Sequence, residues 1–435
     1  MSPVLAGILG FFILFSLLAL GVPIGAGMAL IGFLGFWYLV SGIAAFTKLA
    51  VVPFQTITDY SLAVLPMFIL MAQVVFVSGM GRDLFNVASK WMGHKKGGVA
   101  MAAVAGSAIF SAVSASSIAT ATTMGLVSIP EMKRLNYDPA LATGAVAAGG
   151  TMGVLIPPSG ALIIYGILTE TSIGKLFVAG IIPGILEAVF YITVIFIVCL
   201  WKPAYGPPAK NVPLGEKIRA MGSCGEIVIL IVFVLTGLII GWFTPTEAGA
   251  VGAFGAIIMC ALRGRLTLQK FIRAIIETLK TTGMIYGILI GALIFNYFVA
   301  ASTTPYVLSE FIGNLALPPM AILVMVLVLY FFLGCFLDTA AMTVLTIPIF
   351  FPLVVSLGFN PIWFGIVFVR MTEIAMITPP IGINTFVISG VVKDMGINMG
   401  TVFRGIIPFL VADFFHVTLL ILVPQLSLFL VKIMM

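Results

Sequence analysis

The sequence predicts an all-α polytopic membrane protein built from two repeats of opposite topology. Each repeat is expected to hold a re-entrant helical hairpin and a helix broken at a Pro-Pro pair. Three observations lead there: the composition, a self-similarity at a fixed offset, and the distribution of basic residues. Hydrophobic residues make up 61% of the 435 positions and charged residues only 8%. A soluble globular chain carries about 25% charged residues, so this one has too few to cover a water-facing surface and its surroundings must be lipid. Lys and Arg exceed Asp and Glu only by 21 to 15, which argues against nucleic-acid binding.

Apolar runs long enough to cross a hydrocarbon layer of about 30 Å as helices fall near 4–20, 24–41, 62–78, 176–200, 226–242, 246–262, 281–300 and 405–431. The start, Met1-Ser2-Pro3, has no basic leader, so 5–20 reads as a first span and not as a cleaved signal. Stretches 139–169 and 361–390 are equally long but interrupted by Pro-Pro, whereas 98–130 and 319–352 are rich in Gly, Ser and Thr. The longest polar connection, 201–225, leaves no room for a soluble domain. Between 262 and 280, Arg and Lys alternate with Leu, Phe and Ile, as in an amphipathic helix on the cytoplasmic interface or a charged connector.

Shifting the chain by 222 residues superimposes Pro23 on Pro245, Pro130 on Pro352, Pro139 on Pro361, Pro157 on Pro379 and Pro158 on Pro380. Gly160 falls on Gly382 and Asp138 on Asn360, and Gly180-Ile181-Ile182-Pro183 recurs as Gly405-Ile406-Ile407-Pro408 after a three-residue slip. The expected repeats are therefore 1–222, with hairpin 98–130 and broken helix 139–169, and 223–435, with hairpin 319–352 and broken helix 361–390.

If 98–130 enters and leaves on one side, the first repeat has five spans, an odd number, and the second must be inverted. With the N-terminus outside, segments 79–97, 131–138, 201–225, 263–280 and 391–404 are cytoplasmic and carry 17 of the 21 basic residues. Lys48, Lys175 and Lys432 fall outside and Arg370 within a span. That asymmetry agrees with the positive-inside rule.

Inverted repeats with interrupted helices are the architecture of secondary transporters, with binding sites expected at the breaks. A Pro-Pro pair removes helical hydrogen bonds and frees carbonyls, which at membrane depth survive only in a protein-lined or watered cavity. There they match the oxygen ligands that hard cations favour. The first break is Gly153-Val154-Leu155-Ile156-Pro157-Pro158-Ser159-Gly160 and its mate Ala375-Met376-Ile377-Thr378-Pro379-Pro380-Ile381-Gly382.

In the first hairpin, Ser114 and Ser117 at the turn are candidate ligands, whereas Thr120, Thr122 and Thr123 serve equally well for helix packing. The offset places Asp338 on Ser116 and Thr339 on Ser117. Asp338 is an acid inside an apolar hairpin, and intramembrane charges mark functional sites by default. Arg370 and Glu373, three apart on the broken helix, either pair with each other or leave Arg370 to neutralise an anionic substrate. Glu247 and Asp413 read as structural. The four cysteines, His94 and His416 form no metal-spaced cluster, and no catalytic triad or phosphate loop is present, so an enzyme is not expected.

Gly149-Gly150-Thr151 through Ile156-Pro157-Pro158-Ser159, Thr244-Pro245-Thr246-Glu247-Ala248-Gly249-Ala250 and Met376-Ile377-Thr378-Pro379-Pro380-Ile381-Gly382 together resemble the large membrane subunit of tripartite ATP-independent periplasmic (TRAP) transporters, across essentially the whole chain. The resemblance implies an elevator mechanism in a bacterial inner membrane and sodium-driven uptake of an organic-acid anion, of sialic acid or C4-dicarboxylate type. It also implies a periplasmic substrate-binding protein and a small four-helix membrane subunit, here expected as a separate chain. At least two sodium ions are implied: one at Ser114, Ser117, Gly153, Ile156 and Pro158, the other around Gly334, Thr339, Ala375, Thr378 and Pro380. Ala375 stands where Gly153 stands in the first site. The substrate region falls on Ser114, Ser159 and Asp338, with Arg370 as the candidate counter-charge. The competing readings are a stand-alone carboxylate or ion elevator and a non-transporting membrane anchor.

Overall fold

A computed structural model describes residues 1–313 and 317–434, and these are helices and connecting loops. In chain order the α-helices are α1 (Pro3–Ala19), α2 (Ile24–Leu39), α3 (Gly42–Thr58), α4 (Val64–Val77), α5 (Met80–Met92), α6 (Gly98–Ser114) and α7 (Ser117–Arg134). Then come α8 (Pro139–Leu155), α9 (Gly160–Leu168), α10 (Ile173–Trp201), α11 (Leu214–Met221), α12 (Gly225–Ile240), α13 (Pro245–Leu262) and α14 (Leu268–Ala301). The last are α15 (Thr304–Gly313), α16 (Pro319–Gly334), α17 (Thr339–Ser356), α18 (Pro361–Ile377), α19 (Ile383–Val391), α20 (Met399–Leu422) and α21 (Gln425–Met434).

Local chemistry sets several of these starts. Asp138 and Asn360 cap α8 and α18, each followed by a proline whose missing N–H costs nothing at the first helical position. Thr244 and Glu247 form a reciprocal capping box on α13, which gives Glu247 the structural role expected of it. The 222-residue shift that superimposes the prolines also carries the bounds of α7 onto α17 and of α8 onto α18.

The interior lies around α8 and α18, where every residue from Leu141 to Leu155 and from Trp363 to Ile377 is buried. Large apolar side chains on the outer helices, such as Phe12, Phe54, Leu200 and Phe254, are exposed, as lipid contact requires. Close backbone approach holds the centre together. A Cβ placed on Gly405 of α20 would stand 3.1 Å from the Cα of Ala140 on α8, and one on Gly180 of α10 would stand 2.6 Å from the Leu155 carbonyl oxygen. The glycine of each Gly-Ile-Ile-Pro copy is thus a contact point with a broken helix.

Three elements differ from expectation. α3 is a full helix within a stretch that had offered no apolar run, because Lys48, Gln55 and three threonines dilute it. Residues 268–280 are not a separate interfacial helix: α14 runs unbroken for 34 residues into the apolar stretch. The last expected span, 405–431, is divided at Val423 and Pro424 into α20 and α21. In addition, the short α11 meets α12 at 50° inside the polar connection.

Candidate functional site

The first hairpin turns tightly. α6 ends at Ser114, Ala115 takes a left-handed conformation (φ 51°), and Ser116 caps α7 by accepting the Ala119 amide (3.3 Å). Ser114 Oγ and Thr120 Oγ1 share a hydrogen at 2.5 Å. Behind this turn α8 passes so closely that a Cβ on Gly153 would lie 2.8 Å from Thr120 Oγ1. α8 then stops at Leu155, because Pro157 and Pro158 have no N–H to give the carbonyls of Gly153 and Val154. Ser159, fully buried, restarts the chain as α9 by accepting the Leu162 amide (3.2 Å).

The second hairpin repeats the plan with different side chains. α16 ends at Gly334, pressed so tightly on α18 that its Cβ would stand 2.7 Å from that of Ala375. Asp338 caps α17 by accepting the Ala341 amide (3.3 Å). α18 stops at Ile377, Thr378 Oγ1 donates back to the Ile374 carbonyl (2.7 Å), and Gly382 (φ 56°) leads into α19. Both Pro-Pro peptides are cis.

The two turns meet at Met376. Ser117 Oγ lies 3.8 Å and Thr339 Oγ1 3.1 Å from its sulfur. A cavity of about 410 Å³ opens there, and Ser114, Ser117, Asp338, Thr339 and Met376 line it. The structure therefore brings together the hairpin residues expected from the two halves. Gly153, Ile156, Pro158 and Ser159 sit on the break beside this cavity, whose wall includes Val154 and Gly160. Gly334, Ala375, Thr378 and Pro380 belong to the second turn and break without lining it.

Arg370 is placed differently from its expected substrate role. Its guanidinium, with no exposure, donates to Glu187 Oε1 (2.7 Å), to the Tyr191 hydroxyl (3.1 Å) and to Asp413 Oδ1. Thr151 Oγ1 is 2.8 Å from the same Glu187 oxygen. Arg370 does not line the cavity. An Arg370–Glu373 pair is not formed either: Glu373 Oε1 accepts the Thr339 hydroxyl (2.6 Å) instead. Glu187 went unmarked in the sequence, although a lone acid in an apolar run is the signal that singled out Asp338. Asp413 has the structural role expected of it.

The capping geometry gives a direct test. Asp338→Ala should lower stability by roughly 1 kcal/mol and Asp338→Asn by only a few tenths, since Asn caps equally well. Thermal melting of the two detergent-purified variants checks this.

The chain is 34% identical over 382 residues to the C4-dicarboxylate TRAP transporter large permease protein DctM of Pseudomonas aeruginosa, covering 88% of each. It is 31% identical over 375 residues to the sialic acid TRAP transporter large permease protein SiaM of Vibrio cholerae, covering 86% of this chain and 87% of that one. Among solved structures, the YdaH transporter of Alcanivorax borkumensis superimposes with a TM-score of 0.64 over 89% of each chain at 12% identity, a likeness of fold. The family model for the DctM component of the tripartite ATP-independent periplasmic transporter matches residues 11–426. This multi-pass membrane protein, a permease and not an enzyme, belongs to the DctM family of TRAP transporters.

Proposed function

We infer that this chain is the subunit through which a sodium gradient drives uptake of an organic-acid anion across a bacterial inner membrane. The anion, of the C4-dicarboxylate or sialic acid kind handled by the relatives, arrives on a periplasmic binding protein. A small membrane subunit completes the tripartite assembly that the family's description names. Residues 1–222 and 223–435 are inverted repeats. Their hairpins, 98–130 and 319–352, and broken helices, 139–169 and 361–390, move together against the outer helices as an elevator. The matched bounds of α7 with α17 and of α8 with α18 support the repeats.

The observation that carries this reading is the meeting of the two hairpin turns beside two proline breaks. One sodium ion is held by Ser114, Ser117 and the backbone at Gly153, Ile156 and Pro158. The other is held by Thr339 and the backbone at Gly334, Ala375, Thr378 and Pro380. Hydroxyls and carbonyls freed by proline suit a hard monovalent ion, which needs oxygen ligands but no full set of charges. The substrate lies against Ser114, Ser159 and Asp338, where two helix N-termini, those of α7 and α17, face the cavity and favour an anion.

Ser117→Ala and Thr339→Ala should each raise the sodium concentration for half-maximal uptake by about tenfold, the effect of losing one good ligand contact of about 1.4 kcal/mol. Uptake into proteoliposomes containing the complete three-part system, with sodium exchanged for potassium, measures this. Unchanged sodium activation in both variants would refute the ion sites.

A further inference from the structure

Glu373 is an acid that neither the fold nor the proposed sodium cages account for. It is fully buried on α18, and none of the ion pairs among the described residues includes it. The nearest basic group on its own helix, Arg370, is engaged by Glu187 and Asp413. These four buried groups therefore comprise three carboxylates and one guanidinium, and the structure leaves Glu373 as the acid without a counter-charge. A buried carboxylate in that position is costly unless something positive joins it.

Its surroundings point to where the positive charge sits. Oε1 takes the hydroxyl hydrogen of Thr339 (2.6 Å), while Oε2 makes no hydrogen bond. Ser117, on the other hairpin turn, faces the same stretch of α18. One turn of helix further on, Met376 is touched by both hydroxyls. A hydroxyl has one hydrogen and two lone pairs. By taking the hydrogen, Glu373 turns the Thr339 lone pairs toward whatever cation the turn holds. The 222-residue shift puts Thr151 at the equivalent place in the first half, and Thr151 faces Glu187 and Tyr191 instead. The two halves are thus unequal: where α18 carries this carboxylate, α8 carries a hydroxyl.

We propose that Glu373 is the shared counter-charge of the two sodium ions, a positioning residue that orients Thr339 and makes the two ions bind cooperatively. This rests on the sodium reading above. Loss of the charge weakens both sites together, whereas loss of one hydroxyl weakens one.

The test is sodium activation of uptake by the complete system in proteoliposomes, comparing wild type, Glu373→Gln and Glu373→Asp. Glu373→Gln should raise the half-activating sodium concentration by about tenfold or more, as removing a charge-assisted contact does, and flatten the sodium curve toward a slope of one. The apparent affinity for the loaded binding protein at saturating sodium should stay within about twofold, which a general structural defect would not permit. Glu373→Asp, which keeps the charge, should recover most of the cooperativity. A sodium-induced rise in melting temperature, present in wild type and absent in Glu373→Gln, gives the same answer if uptake is too slow to measure. Sodium-activated wild type with an unchanged Gln curve overturns the Glu373 assignment alone. Wild-type uptake indifferent to sodium overturns the sodium reading with it.

Discussion

Arg370→Leu is expected to destabilise the protein by roughly 3–5 kcal/mol, the cost of leaving buried charges without their partner. The side chain reaches two acids from different helices, Glu187 of α10 and Asp413 of α20, and the Tyr191 hydroxyl besides. With the guanidinium gone, both carboxylates face one another in the membrane interior with no compensating charge. Arg370→Lys should fall between, because an ammonium lacks the planar fork that reaches several acceptors at once. The informative variant removes the whole group: Arg370→Leu combined with Glu187→Gln and Asp413→Asn should recover most of the loss, since a buried ion cluster replaced by neutral groups is often no less stable. Thermal unfolding of detergent-purified protein followed by size-exclusion chromatography ranks the four proteins. A triple variant no better than Arg370→Leu would show that the loss comes from packing and not from charge.

Gly405→Val should be nearly as severe, about 3 kcal/mol or more, and by a different cause. The atoms that a side chain at Gly405 would strike belong to the backbone of Ala140, so no rotamer change can make room. Reciprocally, a Cβ on Gly144 would stand 2.9 Å from the Gly405 Cα. Ala140 and Gly144, four apart on α8, form the groove into which α20 fits, the small-residue packing by which helices associate in lipid. Gly400→Ala on the same helix is the control: only the Asn398 side chain approaches there, at 3.6 Å, and the change should be neutral or stabilising by about 0.5–1 kcal/mol. Equal melting temperatures for Gly405→Val and wild type would contradict the close crossing.

The hairpin turns and breaks were legible because their cause is local. Proline lacks an N–H wherever it stands, and a run of hydroxyls beside it marks backbone or ligand chemistry at that spot. Hence Ser114, Ser117, Asp338 and Thr339 could be named in advance, and the structure gathers them around one cavity. Partners were not legible where they lie far apart in the chain. Arg370 and Glu187 are 183 positions apart, and helical spacing suggested the nearer Glu373 instead. The amphipathic stretch before 281 misled for a related reason: its charges mark contact with water or headgroups, and say nothing of whether the helix ends there. α3 was hidden because Lys48, Gln55 and its threonines lower the local hydrophobicity without impairing helix formation.

The unbroken α14 has a mechanical consequence. Thirty-four residues at about 1.5 Å each span some 51 Å, against roughly 30 Å of hydrocarbon. Lys270, Arg273 and Lys280 are all exposed and lie in its first half, so that half stands among the lipid headgroups while the apolar half is immersed. Such a rod is pinned at its cationic end and tilts to match its apolar length. α14 also packs along α2 and α4, so a change of tilt is passed to them. Acyl-chain length thereby becomes a load on the protein, applied through one lever.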